Sequence, residues 1–366
     1  MKTLYQIALT CIPGVGVVHA RNLMKAVGDE EAVFNEKAGN LEKIPGISRR
    51  LIGEIRRPEV LRRAEKELEF VRKNNIETLF YTQKNYPSRL NNCVDAPVLL
   101  YAKGNIDFNV PKVVSIVGTR NATKYGQEFC QKFVRELSAL FPDMLVVSGL
   151  AYGIDICAHR ASLQNNLSTV AVLAHGLDRI YPSVHRKTAK EMLEKGALIT
   201  EFPSDTEPDR FNFVKRNRIV AGMADAVVVI ESGEKGGSLI TAEIANSYFR
   251  EVFAVPGRTT DPQSSGCNNL IASNKAVLMQ KTAAFIDQMG WDTSVKPKQP
   301  RQKELFPELN ETEERVFNAL NGVESMHVNM LGIELNLPVS ELFFTLLELE
   351  MKNVVKALPG GAYKLL

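Results

Sequence analysis

The chain has 366 residues, 45% hydrophobic and 24% charged, the balance of a globular protein with room for two or three domains. Its formal charge of +3 is too small to argue for nucleic acid by itself. Five scattered cysteines (Cys11, Cys93, Cys130, Cys157, Cys267) include no C-x-x-C pair, and the five histidines show no H-E-x-x-H or H-x-x-x-H spacing. No disulfide framework, no metal and no cofactor are expected, and a reducing cytoplasm fits. Residues 4–12 are apolar but carry Tyr5, Gln6 and Thr10 and run into Pro13-Gly14, so a cleavable signal is not expected. No apolar run reaches membrane-spanning length.

Residues 1–65 read as a small helical domain. Ile12-Pro13-Gly14-Val15-Gly16 precedes one helix, and Ile44-Pro45-Gly46-Ile47-Ser48 precedes another. This repeat resembles a helix-hairpin-helix pair (a SAM-like unit in overall type), whose glycine hairpins offer backbone amides to a DNA phosphate without reading bases. A plain αα-hairpin with glycine at the bend fits equally. Arg49, Arg50, Arg56, Arg57, Arg62 and Arg63 lie nearby, as a DNA surface or as a solvated face. Residues 66–111 add a charged helix and two strands, at 78–81 and 98–101, that extend a sheet.

The centre of the chain is residues 113–162. Two β-rich apolar runs each end in a glycine-containing turn, Gly118-Thr119-Arg120 and Ser148-Gly149-Leu150-Ala151-Tyr152-Gly153, and each turn opens a helix. The first helix carries Phe129, Phe133, Leu137 and Leu140 at helical spacing. This is a βαβα unit with parallel strands and a right-handed crossover. Its helix N-termini are ready anion sites, and Arg120 sits where an anion would. Further strands follow at 169–174, 197–200, 226–230, 252–255 and 276–278. The fold class is α/β, a doubly wound, mostly parallel Rossmann-like sheet over 66–291, which binds ligands at its carboxyl edge.

Residues 292–307 contain Pro297, Pro300 and Pro307 with Lys296, Lys298, Arg301 and Lys303, a basic linker. Residues 308–366 give short helices, with Thr312 as an N-cap and Leu342, Leu346, Leu347 and Leu349 as one apolar set. A Gly360-Gly361 hairpin follows, so the domain resembles a winged helix. It holds nine acidic and four basic residues, a net −5 that leaves +8 on residues 1–307. An acidic winged helix repels phosphate, so a protein-contact role is expected.

The densest polar cluster is Phe211-Asn212-Phe213-Val214-Lys215-Arg216-Asn217-Arg218. Cations beside aromatics suit single-stranded nucleic acid, since they neutralise phosphates while a ring stacks a base. One phenylalanine is expected in the core and Phe213 as the stacker. Gly236-Gly237-Ser238 opens another helix and offers a further anion site or a simple turn with a serine cap. With the loops at Gly118–Arg120, 148–153 and His175-Gly176, four loops should meet at one sheet edge.

These pieces resemble the DNA-processing protein A family (DprA/Smf). The resemblance rests on Ser115-Ile116-Val117-Gly118-Thr119-Arg120, Val147-Ser148-Gly149-Leu150-Ala151-Tyr152-Gly153-Ile154-Asp155, Gly176-Leu177-Asp178 with Tyr181-Pro182, and Glu201-Phe202-Pro203. It continues through Arg216-Asn217-Arg218-Ile219-Val220-Ala221-Gly222, Gly237-Ser238-Leu239-Ile240-Thr241-Ala242, Val255-Pro256-Gly257 and Gly266-Cys267-Asn268-Asn269-Leu270-Ile271. It implies a non-enzymatic, homodimeric protein that binds single-stranded DNA, protects incoming DNA in natural transformation and helps load the RecA recombinase. A single-strand-binding protein is a further partner it allows. The implied DNA-binding residues are Gly118, Thr119, Arg120, Ser148, Gly149, Phe213, Lys215, Arg216, Asn217, Arg218, Gly237 and Ser238. Val214 departs from the proline usual in the family. The competing class is an enzyme, since 216–243 also resembles the lysine-decarboxylase-like nucleotide phosphoribohydrolases, with Glu243 at the acid position. There Leu239 and Ile240 replace the glycine and threonine of the phosphate loop, which argues for shared ancestry without catalysis.

Overall fold

The computed structural model describes residues 2–291, 309–352 and 354–366; the basic linker expected at 292–307 lies outside them. The N-terminal helices are α1 (Lys2–Cys11), α2 (Val17–Val27), α3 (Glu30–Asn35), α4 (Ala38–Leu41), α5 (Arg49–Ile55) and α6 (Pro58–Lys73). The two glycine hairpins pack on each other. Gly14 and Gly46 take φ of +79° and +84°, which glycine adopts without strain. Leu51 lies against Gly14 and His19 against Gly46, while Asn22 Nδ2 donates to Pro45 O at 3.1 Å. Of the arginines expected to form a basic face, Arg49, Arg57, Arg62 and Arg63 pair with Glu42, Glu54, Glu59 and Glu67. That favours the solvated-face reading for those four.

The boundary placed at residue 65 falls inside α6. One hydrophobic core runs from Ile7, Leu9 and Leu23 through Ala64 and Val71 to Phe80, Leu99 and Tyr101 of the sheet. Glu67 fixes this seam. Its buried carboxylate accepts from Arg63 Nη1 at 2.8 Å, from Ser204 N at 2.9 Å and from Ser204 Oγ at 2.6 Å.

The sheet domain comprises β1 (Glu77–Phe80), α7 (Ser88–Asn91), β2 (Leu99–Gly104), β3 (Val113–Gly118), α8 (Lys124–Leu140), β4 (Leu145–Ser148), α9 (Ile154–Gln164), β5 (Ser168–Val172), α10 (Arg186–Lys195) and β6 (Gly196–Thr200). It continues with α11 (Arg210–Gly222), β7 (Ala226–Ile230), α12 (Gly237–Ser247), β8 (Glu251–Ala254), α13 (Ser265–Ala272), β9 (Val277–Leu278) and α14 (Thr282–Gln288). Strand order is β1-β2-β6-β5-β4-β3-β7-β8-β9. The strands from β6 to β9 in that order are mutually parallel, and the β1–β2 hairpin adds an antiparallel edge. The expected doubly wound, mostly parallel sheet is therefore present. Alternation serves both faces: Val227 and Val229 enter one core, Val228 and Ile230 the other. Both faces are covered, so the strands read as continuous apolar runs. In α8, Phe133 and Leu137 are buried but Leu140, expected on the same stripe, is exposed.

The C-terminal domain holds α15 (Glu311–Leu320), β10 (Met326–His327), α16 (Val328–Leu335), α17 (Val339–Met351), β11 (Val355–Leu358) and β12 (Ala362–Leu365), with sheet order β10-β12-β11. This is the expected winged helix. The cap of α15 is Asn310 rather than Thr312. Asn310 Oδ1 accepts from Glu313 N at 2.9 Å while the Glu313 carboxylate accepts from Asn310 N at 2.8 Å, a reciprocal box. Among the described residues no single helix is long and apolar enough to cross a membrane.

Glu67→Ala should lower unfolding free energy by about 1–3 kcal/mol, because it strands buried donors of Ser204. Urea unfolding measures this; a change below about 0.5 kcal/mol would show that the seam does not depend on it.

Candidate nucleic-acid interface

β3 lies between β4 and β7, and β5 lies beyond β4. The chain thus winds one way from β3 and then the other, and the crevice between β3 and β7 is a topological switch point. The loops after β3, β4, β5 and β7 stand side by side along that edge, as the sequence implied. Gly118 closes the switch point. A Cβ there would fall 2.0 Å from Ile230 O and 2.5 Å from Ile154 Cγ1.

Two of the expected anion sites are already filled. At α8 the Glu231 carboxylate accepts from Thr123 N at 2.8 Å and from Thr123 Oγ1. At α9 the Asp155 carboxylate accepts from Gly149 N at 3.1 Å and Ala151 N at 3.4 Å. The chain's own carboxylates take the place a phosphate would occupy. The α12 N-terminus differs. Its cap is Gly236 with no side-chain acceptor, and Gly237 is exposed with open space at its Cα. Ser238 turns inward and donates to Ser232 Oγ at 2.9 Å. Of these helix N-termini, that of α12 is the one left without a carboxylate acceptor.

Asp209 caps α11, its carboxylate accepting from Phe211 N at 2.7 Å. Neither phenylalanine enters the core. Phe211 is 81% exposed. Phe213 is half-buried, 5.8 Å from the Tyr181 ring, with the Arg120 guanidinium 5.5 Å from its centroid. The core face of α11 is instead Ile219, Val220 and Ala221. Lys215 is exposed, 3.2 Å from Glu201 Oε2 and 5.1 Å over the Phe202 ring.

The other two cations point inward. Arg216 is 4% exposed, and its Nη1 donates to Val172 O of β5. It passes beneath Gly149, where a Cβ would fall 2.0 Å from Nη1. Burial pulls its pKa down to about 10, against the opposing pull of the Asp155 charge. Burial in turn raises the Asp155 carboxyl, and Arg216 counters it. His159 in the same interior is pushed down to about 3 by burial and by Arg216. Arg218 donates to Asp95 O and to Glu201 Oε2. Ser148 Oγ donates to Ile116 O at 2.6 Å.

The structure thus brings Arg120, Phe213, Lys215 and Gly237 to one open edge. Thr119 and Asn217 border it half-buried, with Asn217 Nδ2 donating to Gly237 O at 3.3 Å. Arg216, Arg218, Ser148, Gly149 and Ser238 lie beneath as its scaffold, so of the three α11 cations expected to reach phosphate Lys215 alone is exposed. Two residues outside the expected set join the edge. Tyr181 is 46% exposed against Phe213, and Tyr152 is 45% exposed with its ring 5.1 Å from that of His185. Both follow glycine-containing strand ends, and an aromatic in such a loop was the signal available. Among the described residues no group of three metal-ligating side chains could hold an ion. An exposed guanidinium, an ammonium, aromatic faces and open amides suit phosphates and bases together.

Arg216→Ala should destabilise the fold by about 3–5 kcal/mol, because it leaves Asp155 buried beside an empty slot. Arg120→Ala should stay within about 0.5 kcal/mol of the parent. Urea unfolding of both variants is the check, and equal losses would contradict the division between scaffold and surface.

A family model described as DNA recombination-mediator protein A matches residues 77–290, and one described as DprA winged helix domain matches residues 298–361. The chain is 33% identical over 321 residues to Protein Smf of Escherichia coli (strain K12), covering 83% of this chain and 84% of that protein. It is 39% identical to DNA processing protein DprA of Bacillus subtilis (strain 168), over 55% of this chain and 67% of that one. Among solved structures it is similar to DprA from Streptococcus pneumoniae, with TM-score 0.63 and 31% identity over 79% of this chain and 99% of that chain. DprA from Helicobacter pylori, described for its single-stranded DNA binding mode, gives TM-score 0.53 and 30% identity over 58% and 94%. With the motif-bearing loops, the switch-point edge and the winged helix all in place, the chain belongs to the DNA recombination-mediator protein A (DprA/Smf) family.

Proposed function

We propose that this protein is a recombination mediator that binds single-stranded DNA at the carboxyl edge of β5, β4, β3 and β7. In this reading it protects incoming strands in natural transformation and helps load RecA onto them, acting as a homodimer, with a single-strand-binding protein as a further partner. The observation that carries the DNA site is the Arg120–Phe213 contact beside the uncapped N-terminus of α12. Arg120 covers one face of a half-exposed ring. A strand can take the guanidinium onto its phosphate and stack a base on the ring, without regard to base identity. The family membership and the single-stranded DNA bound by the Helicobacter pylori relative support the same ligand class.

The reading is also non-enzymatic. A phosphoribohydrolase needs an acid at the phosphate loop. Here Glu243 pairs with Lys275 at 3.4 Å, and Lys275 precedes β9 at the opposite, amino edge of the sheet. The side chains of Leu239 and Ile240 stand where that loop needs glycine and threonine. Neither feature favours the hydrolase alternative.

An oligo-dT strand, its duplex and AMP separate the two classes. The protein should bind the single strand at least about tenfold more tightly than the duplex, because a duplex hides its base faces. AMP should stay intact. Free adenine from AMP together with weak strand binding would overturn the reading.

A further inference from the structure

α16 and α17 form the helix pair of the winged domain, and in such pairs the second helix is the one offered to a partner. The residues Leu342, Thr345, Leu346 and Leu349 of α17 are buried in its own domain. On the opposite side Phe344, Leu347 and Met351 are 73%, 55% and 77% exposed. Their i, i+3, i+7 spacing makes one outward apolar stripe. That stripe also explains why Leu347, expected with the buried leucines, stands outside them.

The borders of the stripe are acidic. Glu341 and Glu348 flank it on one side, both exposed and, among the described residues, without an ion-pair partner. Glu350 lies on the other side and accepts from Ala357 N at 3.1 Å. Two of the domain's four cations are directed elsewhere, Lys352 Nζ pairing with the buried Glu313 at 2.6 Å and Arg315 Nη2 donating to Leu335 O at 2.6 Å, while Lys356 and Lys364 lie side by side on β11 and β12. The domain rests on the sheet domain through Phe343 against Phe249, at 6.3 Å, and Asn329 Nδ2 donating to Asn92 O at 3.4 Å. Phe343 lies one helical turn before Leu347, so that contact borders the stripe along its Glu350 side.

Three occupants compete. Nucleic acid is repelled by a surface of this sign. A second copy meeting through the same stripe brings glutamates against glutamates, as like charges at the borders of a coiled-coil seam do. A helix with lysine or arginine beside its apolar residues satisfies both features. We propose that the outer stripe of α17 docks an amphipathic helix of a partner protein whose apolar face is bordered by basic residues.

Two synthetic helices with the same leucine stripe, one bordered by lysines and one by glutamates, serve as probes for the full chain. The lysine peptide should bind at least about tenfold more tightly than the glutamate peptide. Glu341→Lys with Glu348→Lys should invert that preference. Phe344→Ser with Met351→Ser should weaken the lysine peptide about tenfold. Each variant should keep its melting curve, because the altered side chains are exposed. Equal affinity for both peptides, or a preference that survives charge reversal, would overturn the proposal. So would a concentration-dependent dimer that dissociates on Phe344→Ser, which would make a second copy the occupant.

Discussion

The buried guanidinium of Arg216 is the constraint on which the binding edge depends. It ties α11 to β5 through Val172 O and runs under Gly149, in a slot that no side chain at that position would leave open. Asp155, held by the amides of the β4–α9 turn, supplies the counter-charge that makes the burial tolerable. A guanidinium in such a place is expensive to desolvate and worse to leave unpaired. The result is rigidity where it matters. Phe213 and Lys215 sit on the first turns of a helix that cannot shift without breaking that arrangement.

Electrostatics then decides where an anion can settle. A doubly wound sheet presents several helix N-termini at one edge, and each attracts negative charge. Here Glu231 and Asp155 occupy two of them, and α12 is left uncapped. The anion site we propose is therefore narrowed to the side of the switch point that Arg120, Lys215 and Phe213 border. The same logic works at the scale of the chain. Residues 1–307 carry a net +8 and the C-terminal domain a net −5, so the two parts attract partners of opposite sign.

Much of this was legible in the sequence. Apolar runs ending in glycine turns fixed the parallel sheet, and their alternation with helices placed four loops at one edge. The roles of the charges were not legible, for a physical reason. Arg120, Lys215, Arg216 and Arg218 look alike in a sequence, yet two are exposed and two are buried. The difference lies in partners far along the chain, Val172 for Arg216 and Glu201 with Asp95 for Arg218. The carboxylates that cap α8 and α9 were hidden in the same way, since Glu231 lies over a hundred residues from Thr123. The expectation that one phenylalanine enters the core failed because α11 already had Ile219 and Val220 for its core face. Residue 65 was placed as the end of the helical unit built on the two glycine hairpins, but a helix whose buried Glu67 reaches Ser204 crosses it.

The most direct test of the account is the salt dependence of single-stranded DNA binding for the parent, Arg120→Ala and Phe213→Ala. Each phosphate contact on a single strand contributes about −0.7 to the slope of log affinity against log salt. The account predicts that Arg120→Ala flattens the slope by about that amount. Phe213→Ala should weaken binding by about 1–3 kcal/mol and leave the slope unchanged. An unchanged slope and affinity for Arg120→Ala, or a slope that moves with Phe213 instead, would contradict the placement of phosphate and base at this edge.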